Sequence, residues 1–227
     1  MCGRYTLHTS PARLAEHFQV PLLVALAPRF NIAPAQTVPA VCQGGAGREL
    51  VMLYWGLVPY WAKAARTGYR LINARAETVA VKPAFRAAFR QRRCLIPADG
   101  FYEWRPGPKA RQPYYITLND GQLFAFAGLW EHWEGEDGQK IESCTLIVTA
   151  ANTLVQAIHE RMPVILAPED YAIWLDNNSC YNTARLEALL KPYPAEQMQA
   201  WPVSTRVNSP KHTDASCIAP WLTEAPV

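Results

Sequence analysis

Between residues 95 and 149 the chain alternates short β-prone runs with turn-rich loops, and that alternation leaves few fold classes open. Leu95-Ile96-Pro97, Gly100 to Trp104, Tyr114 to Leu118, Phe124 to Trp130 and Cys144 to Thr149 are rich in aromatic and β-branched residues. Asn119-Asp120-Gly121 predicts a hairpin turn, because Asp-Gly tolerates the positive φ angles of a tight connection. Upstream, Glu49 to Trp55 reads as a strand entering a Gly56-Leu57-Val58-Pro59 turn, and Tyr69 to Ile72 is strand-like. Val164 to Leu166 is a further strand. Phe30 to Pro34 reads as an irregular, proline-bounded segment.

Helices are fewer and short. Ser10-Pro11 is a helix start, with serine as the cap and proline at the first helical position, and Leu14, Ala15 and Phe18 give an apolar face. Others are expected over Pro83 to Phe89, from Pro168-Glu169-Asp170 into Leu175, and over Thr183 to Leu190. The expected fold is mainly β with peripheral helices, of the α+β class. It is expected to be a single domain over residues 1–227 with an antiparallel barrel-like core.

A chain of 227 residues that is 50% hydrophobic can bury a full core without disulfides or metals. Arg4, His8 and Arg13 interrupt any apolar run of a secretory leader, and no stretch reaches membrane-span length. The expected address is cytoplasmic and nucleoid-associated. The six cysteines are widely spaced, without CxxC or zinc-type spacing, and Cys94 and Cys144 lie in runs that read as core. Net charge is only +3, but 16 of the 22 basic residues are arginine, whose planar fork suits phosphates and bases.

Cys2 has a chemistry of its own. Removal of Met1 would expose an α-amine and a thiol on adjacent carbons. The amine can condense with an aldehyde to an imine, and the thiol can close on the imine carbon as a thiazolidine. Two nucleophiles on one residue imply capture rather than turnover.

Three polar motifs accompany it. In Asn73-Ala74-Arg75-Ala76-Glu77, an extended backbone would point Asn73 and Arg75 to one side, offering an amide and a guanidinium. Glu103 sits in an aromatic strand, where a carboxylate must be hydrogen-bonded, paired with an arginine or raised in pKa. His159 and Arg161 can reach a common site from an extended segment before Pro163, and histidine exchanges protons near neutrality. Trp55, Tyr60 and Trp61 cluster at the Gly-Leu-Val-Pro turn, where an edge tryptophan could stack on an exposed base. The run Arg86, Arg90, Arg92 and Arg93 reads either as a solvated helix end or as a track for phosphates. No GxGxxG, Walker A loop, HExxH or GxSxG occurs, so a cofactor-free and metal-free protein is expected.

In this order, Met1 to Tyr5, Asn31-Ile32-Ala33-Pro34, Trp55 to Pro59 with Trp61, Asn73 to Glu77, Cys94 to Pro97, Gly100 to Trp104, Phe126 to Trp130, Thr149 to Asn152 and His159 to Pro163 form a specific set. The chain thereby resembles the SOS-response-associated peptidase (SRAP) domain proteins of the compact bacterial type, whose members trap abasic sites in single-stranded DNA. The resemblance runs almost end to end, and Pro202 to Asn208 looks like the family's closing strand. It implies Cys2, Asn73, Glu103 and His159 as the catalytic set, and Arg4, Arg75 and Arg161 as holders of the phosphates flanking the lesion. The implied partner is single-stranded DNA carrying an abasic site, met by a monomer.

The implied chemistry is removal of Met1, by self-processing or by an aminopeptidase, followed by formation of a thiazolidine crosslink through Cys2. Three other readings remain open on these residues. They are a cysteine peptidase acting in trans, a minor lyase proceeding through the Cys2 imine, and a non-covalent shield for single strands.

Overall fold

The computed structural model describes residues 2–22, 26–108, 110–176 and 183–221, without the side chain of Tyr69. Thirteen strands carry the architecture: β1 (Tyr5–Leu7), β2 (Arg29–Ile32), β3 (Thr37–Gly44), β4 (Gly47–Trp55), β5 (Asn73–Arg75), β6 (Arg93–Ala98), β7 (Gly100–Arg105), β8 (Gln112–Leu118), β9 (Phe124–Glu134), β10 (Lys140–Ala150), β11 (Arg161–Pro163), β12 (Ile165–Leu166) and β13 (Met198–Pro202). Among the described residues five short α-helices lie around them: α1 (Pro11–Phe18), α2 (Arg86–Gln91), α3 (Thr153–Gln156), α4 (Tyr171–Leu175) and α5 (Thr183–Glu187).

Five strands close a ring, in the order β3, β4, β10, β9, β6 and back to β3. Closure removes the open edges that would otherwise template aggregation. The barrel expected from the sequence is therefore present, with one refinement. The joint between β4 and β10 is parallel, with Tyr54 opposite Ser143 and Trp55 opposite Cys144.

The barrel is filled by small and branched side chains, and Cys42, Cys94 and Cys144 are all buried within it. Burial pushes the Cys94 and Cys144 thiols well above the ordinary cysteine range, as befits core residues. At Gly128 a Cβ would meet Cys94 Sγ at 2.8 Å, so only glycine lets these two strands pack this closely.

A second sheet, in the order β13, β8, β7, β1, β2, packs on the barrel. Tyr5 meets Trp55 and Phe126 edge-on, with ring centroids 5.3 and 5.8 Å apart, and Phe101 meets Phe126 at 6.1 Å. Its other face is covered by the segment beyond β13, where Val203, Val207 and Cys217 pack on Tyr102 and Tyr115. Both faces of β7 are thus buried from Gly100 to Glu103, which explains why aromatic rings, Phe101 and Tyr102, occupy both of its sides.

Several expectations are corrected. Asn119-Asp120-Gly121 forms a turn, with Gly121 at φ 63°, yet it makes no hairpin, because β8 and β9 belong to different sheets. Turn chemistry fixes a local reversal but not the partner of the strand that follows. Phe30 to Ile32 is strand, paired with β1. Tyr69 and Arg70 end a 3-10 helix over Ala65–Arg70 rather than a strand. The closing strand is Met198–Pro202, and Thr205–Asn208 is a 3-10 turn. The helix expected at Pro83 to Phe89 starts later, at Arg86, with Phe85 and Phe89 buried as its anchors. Strand β3, which contains Pro39, was not signalled.

The arginine run divides: Arg86 and Arg90 are exposed, as a solvated helix end would have them, whereas Arg92 and Arg93 are drawn into the fold. Arg92 pairs with the buried Glu131 at 2.8 Å. Arg93 is fully buried and donates to the carbonyls of Trp174 (2.6 Å), Phe89 (2.8 Å), Arg90 (2.6 Å) and Asp176 (2.5 Å). It thereby satisfies carbonyls at the ends of α2 and α4 together. Replacing Arg93 by Met should strand these acceptors and cost about 3 kcal/mol of stability. A urea midpoint unchanged from wild type would contradict this strut role.

Candidate active site

Backbone pairing delivers Cys2 to the centre of the molecule. Tyr5 lies opposite Phe101 and Thr6 opposite Gly100, and the N–H of Tyr102 donates to the Arg4 carbonyl at 3.0 Å. The chain start therefore runs antiparallel along β7. Because side chains alternate along a strand, Phe101 and Glu103 face the barrel side while Tyr102 and Trp104 face the covering segment.

From the barrel side comes β5. Asn73, Ala74 and Arg75 lie parallel to Leu146, Ile147 and Val148 of β10. The Asn73 Nδ2 donates to the Cys2 carbonyl at 2.9 Å, a bond between residues 71 positions apart. Among the described residues its Oδ1 is buried and accepts no hydrogen bond. An unsatisfied buried acceptor is costly, and it points to a donor that the site is built to receive. The approach of β5 depends on the turn after β4. Gly56 has φ 143°, a Cβ there would lie 2.7 Å from the Gly68 carbonyl, and Leu57 N–H donates to Leu71 O at 3.1 Å. Trp55 Nε1 then donates to Ile72 O at 3.0 Å, next to Asn73.

Cys2 is fully buried. Burial, then the neighbouring Glu103 carboxylate, raises its thiol far above the ordinary range, so the thiol is protonated at rest. Glu103, 2% exposed, is raised to about 7 by burial. The α-ammonium charge of the chain and the Trp104 backbone N–H pull in the opposite direction. A carboxyl group with that value exchanges protons readily at neutral pH.

His159 lies two residues before the start of β11, whose Arg161 pairs with Ala150. The Arg161 N–H lies 3.0 Å and the Arg161 carbonyl oxygen 3.2 Å from His159 Nδ1, so the Arg161 backbone holds the ring through that nitrogen in either tautomer. Burial, then the α-ammonium charge, lowers its pKa, so the ring favours its neutral form, and Arg111 acts in the same direction.

The arginines divide. Arg161 Nη1 donates to Glu77 Oε1 in a close ion pair. Burial raises the Glu77 pKa, but its own backbone N–H and the charges of Arg161 and Arg75 outweigh that and lower it overall. Arg75 is exposed. These two sit on opposite flanks of β10, level with Val148 and Ala150. Arg4 is engaged elsewhere: Nη1 donates to Asn31 Oδ1 at 2.7 Å and Val207 O at 2.6 Å, and Nη2 to Asn208 O at 3.2 Å.

Trp61 stands apart from this cluster. It is 52% exposed, and the adjacent Ala62 carbonyl accepts from Trp133 Nε1 at 2.6 Å. Trp133 pairs with Ile141, whereas Asn73 lies level with Leu146, about 17 Å further along β10 at the usual strand rise. Sequence reasoning missed Glu77 as an ion-pair partner and Arg111 altogether. The alternation Asn73, Arg75, Glu77 signals the first; nothing local signals the second.

No group of three or more His, Cys, Asp or Glu side chains able to hold a metal ion occurs among the described residues. No described helix is long and apolar enough to cross a membrane.

A fold of this kind, with a cysteine at position 2 held between two sheets beside a near-neutral carboxyl group, defines a class. Residues 1–210 match the family model for SOS response associated peptidase (SRAP), and the chain belongs to that family. It is 43% identical over 222 residues to the abasic site processing protein YoqW of Bacillus subtilis, covering 96% of this chain and 99% of the relative. It is 42% identical over 222 residues to YoaM of the same organism, covering 96% and 97%. A crystal structure of a Bacteroides thetaiotaomicron protein superposes with a TM-score of 0.87 at 26% identity, covering 97% of this chain and all of that one.

The raised Glu103 pKa carries a consequence for stability. Between about pH 4.5 and pH 7 the unfolded chain releases this proton while the folded chain keeps it, so stability falls as pH rises through that window. Above pH 7 the buried carboxylate costs on the order of 3 kcal/mol. Glu103→Gln should therefore be more stable than wild type at pH 8 and little changed at pH 4.5. Equal stability gains at both values in urea titrations would exclude this burial effect.

Proposed function

We propose that the protein captures abasic sites in single-stranded DNA as a thiazolidine crosslink through Cys2, after loss of Met1. The observation that carries this reading is the placement of Cys2: its carbonyl is held by Asn73 and its thiol adjoins the near-neutral Glu103. The names of the relatives, abasic site processing proteins, support the same substrate.

The chemistry follows in balanced steps. Hydrolysis of the Met1–Cys2 peptide bond frees the α-amine, by self-processing at this site. An abasic sugar equilibrates between a closed hemiacetal and a minor aldehyde form. Glu103, its carboxyl group raised toward neutrality by burial, assists ring opening and proton transfer. The Cys2 amine adds to the aldehyde carbon, and loss of one water gives the imine. The thiol sulfur then attacks the imine carbon, its proton leaves to a neighbouring base, and the nitrogen gains one. The product is a neutral thiazolidine. Asn73 Oδ1, the unfilled acceptor, orients the amine or the sugar hydroxyl. His159, whose ring favours its neutral form, moves protons at the imine and in crosslink reversal. Arg75 and Arg161 hold flanking phosphates, with Arg4 bracing the chain start behind Cys2, and Trp61 stacks on a more distant base. A buried, protonated thiol suits capture of a small aldehyde better than attack on a peptide in trans.

Incubation with a single strand bearing one abasic site should give a heat-stable adduct with the mass of processed chain plus DNA minus water. Cys2→Ala should abolish it, and a wild-type-like stable adduct from that variant would end this reading. On protein verified by mass spectrometry to begin at Cys2, Glu103→Gln should slow adduct formation about 100-fold to 10,000-fold with little change in DNA affinity. Unchanged single-turnover rates would remove Glu103 from the proton transfers.

A further inference from the structure

Beside the chain start lies a groove of about 460 Å³, lined by Gly3, Arg4, Trp104, Ala110, Arg111 and Asn208. Its position follows from the ladder. Strands β7 and β8 pair down to Arg105 opposite Gln112, so Arg111 stands just beyond the last pair, at the end of the hairpin along which the chain start runs. The groove begins one residue from Cys2.

Among the described residues three cations border this region, and two are committed. Arg4 donates to Asn31 and to the carbonyls of Val207 and Asn208, with its guanidinium 5.9 Å over the Trp104 ring. Arg105 lies over the Tyr114 ring at 4.9 Å. Arg111 is exposed and makes no hydrogen bond or ion pair with any described residue. It acts electrostatically on His159, so its charge reaches the site. A solvent-facing guanidinium on a concave wall presents a fork that matches phosphate oxygens.

We propose that Arg111 binds one backbone phosphate of the single strand on the Cys2 side of the site, opposite the Arg75 and Arg161 flank. This rests on the capture reading above and extends it. The strand then enters between Arg75 and Arg161 and leaves past Arg111, with the lesion held over Cys2 between them. Arg4, on the groove wall and tied down by its carbonyl bonds, shapes the channel without needing to contact phosphate.

The test uses full-length protein, a single-stranded oligonucleotide carrying one tetrahydrofuran abasic analogue, which has no aldehyde to crosslink, and fluorescence anisotropy across a salt series. Arg111→Gln should bind roughly threefold to tenfold more weakly at low salt, with the log-log salt slope reduced by about 0.7. Arg111→Lys should keep the slope. A scan of neutral methylphosphonate linkages adds a readout that a structural role would not move. Wild type should lose affinity at one linkage beside the abasic position where Arg111→Gln loses none. An unchanged salt slope, or equal losses in both proteins at every linkage, would overturn the assignment. Crosslinking of an abasic strand by wild type tests the capture reading separately, since Arg111 can fail while capture stands.

Discussion

The antiparallel pairing of the first few residues with β7 is the constraint on which the rest of the site depends. A strand register has a period of two, so a slip of one residue would exchange every side chain between the two faces. With Tyr5 opposite Phe101, Glu103 shares a face with the core side of the chain start. One residue out, Tyr102 would occupy that place and the carboxyl group would point into the covering segment. The Tyr102–Arg4 backbone bond holds this register, and the Asn73–Cys2 bond fixes the chain end from the other side.

Strand β10 acts as the second organiser. It pairs with β9 over Lys140 to Leu146 and then with β11, while its opposite edge takes β4 and then β5. Both changes of partner fall near Leu146 to Val148. There β5 brings Asn73 and Arg75 in on one side, and β11 brings Arg161 and the preceding His159 in on the other. Mixed pairing around one strand is how residues far apart in sequence converge without a long loop to carry them.

Charge in this protein is handled by burial depth. Arg93 is wholly enclosed and bonded to carbonyls, so it acts as a strut. Arg92 and Arg161 are partly enclosed and paired with carboxylates. Arg75 and Arg111 remain exposed. Glu103 is the exception among the buried groups, since desolvation leaves it near neutrality instead of deeply ionised. That poise is unfavourable for folding above pH 7, and the closed barrel beneath it tolerates the cost because its stability rests on apolar burial.

By itself the sequence determined the strand-rich composition, the Ser10-Pro11 helix start, the core character of Cys94 and Cys144, and the polar motifs around residues 73, 103 and 159. Those features are local: they follow from caps, alternation and the cost of placing a carboxylate among aromatic rings. Composition could not distinguish Arg93, a buried strut, from the exposed Arg90 three residues before it, because solvent exposure depends on what packs above each. Asn119-Asp120-Gly121 specified a reversal but left open that β8 and β9 would join different sheets. Nor did any local pattern place Arg111 near His159, since 48 residues separate them and they flank strands of different sheets. Turn and strand preferences act over a few residues, whereas pairing partners and burial are set by the closure of the whole barrel, and that was decided in the tertiary structure alone.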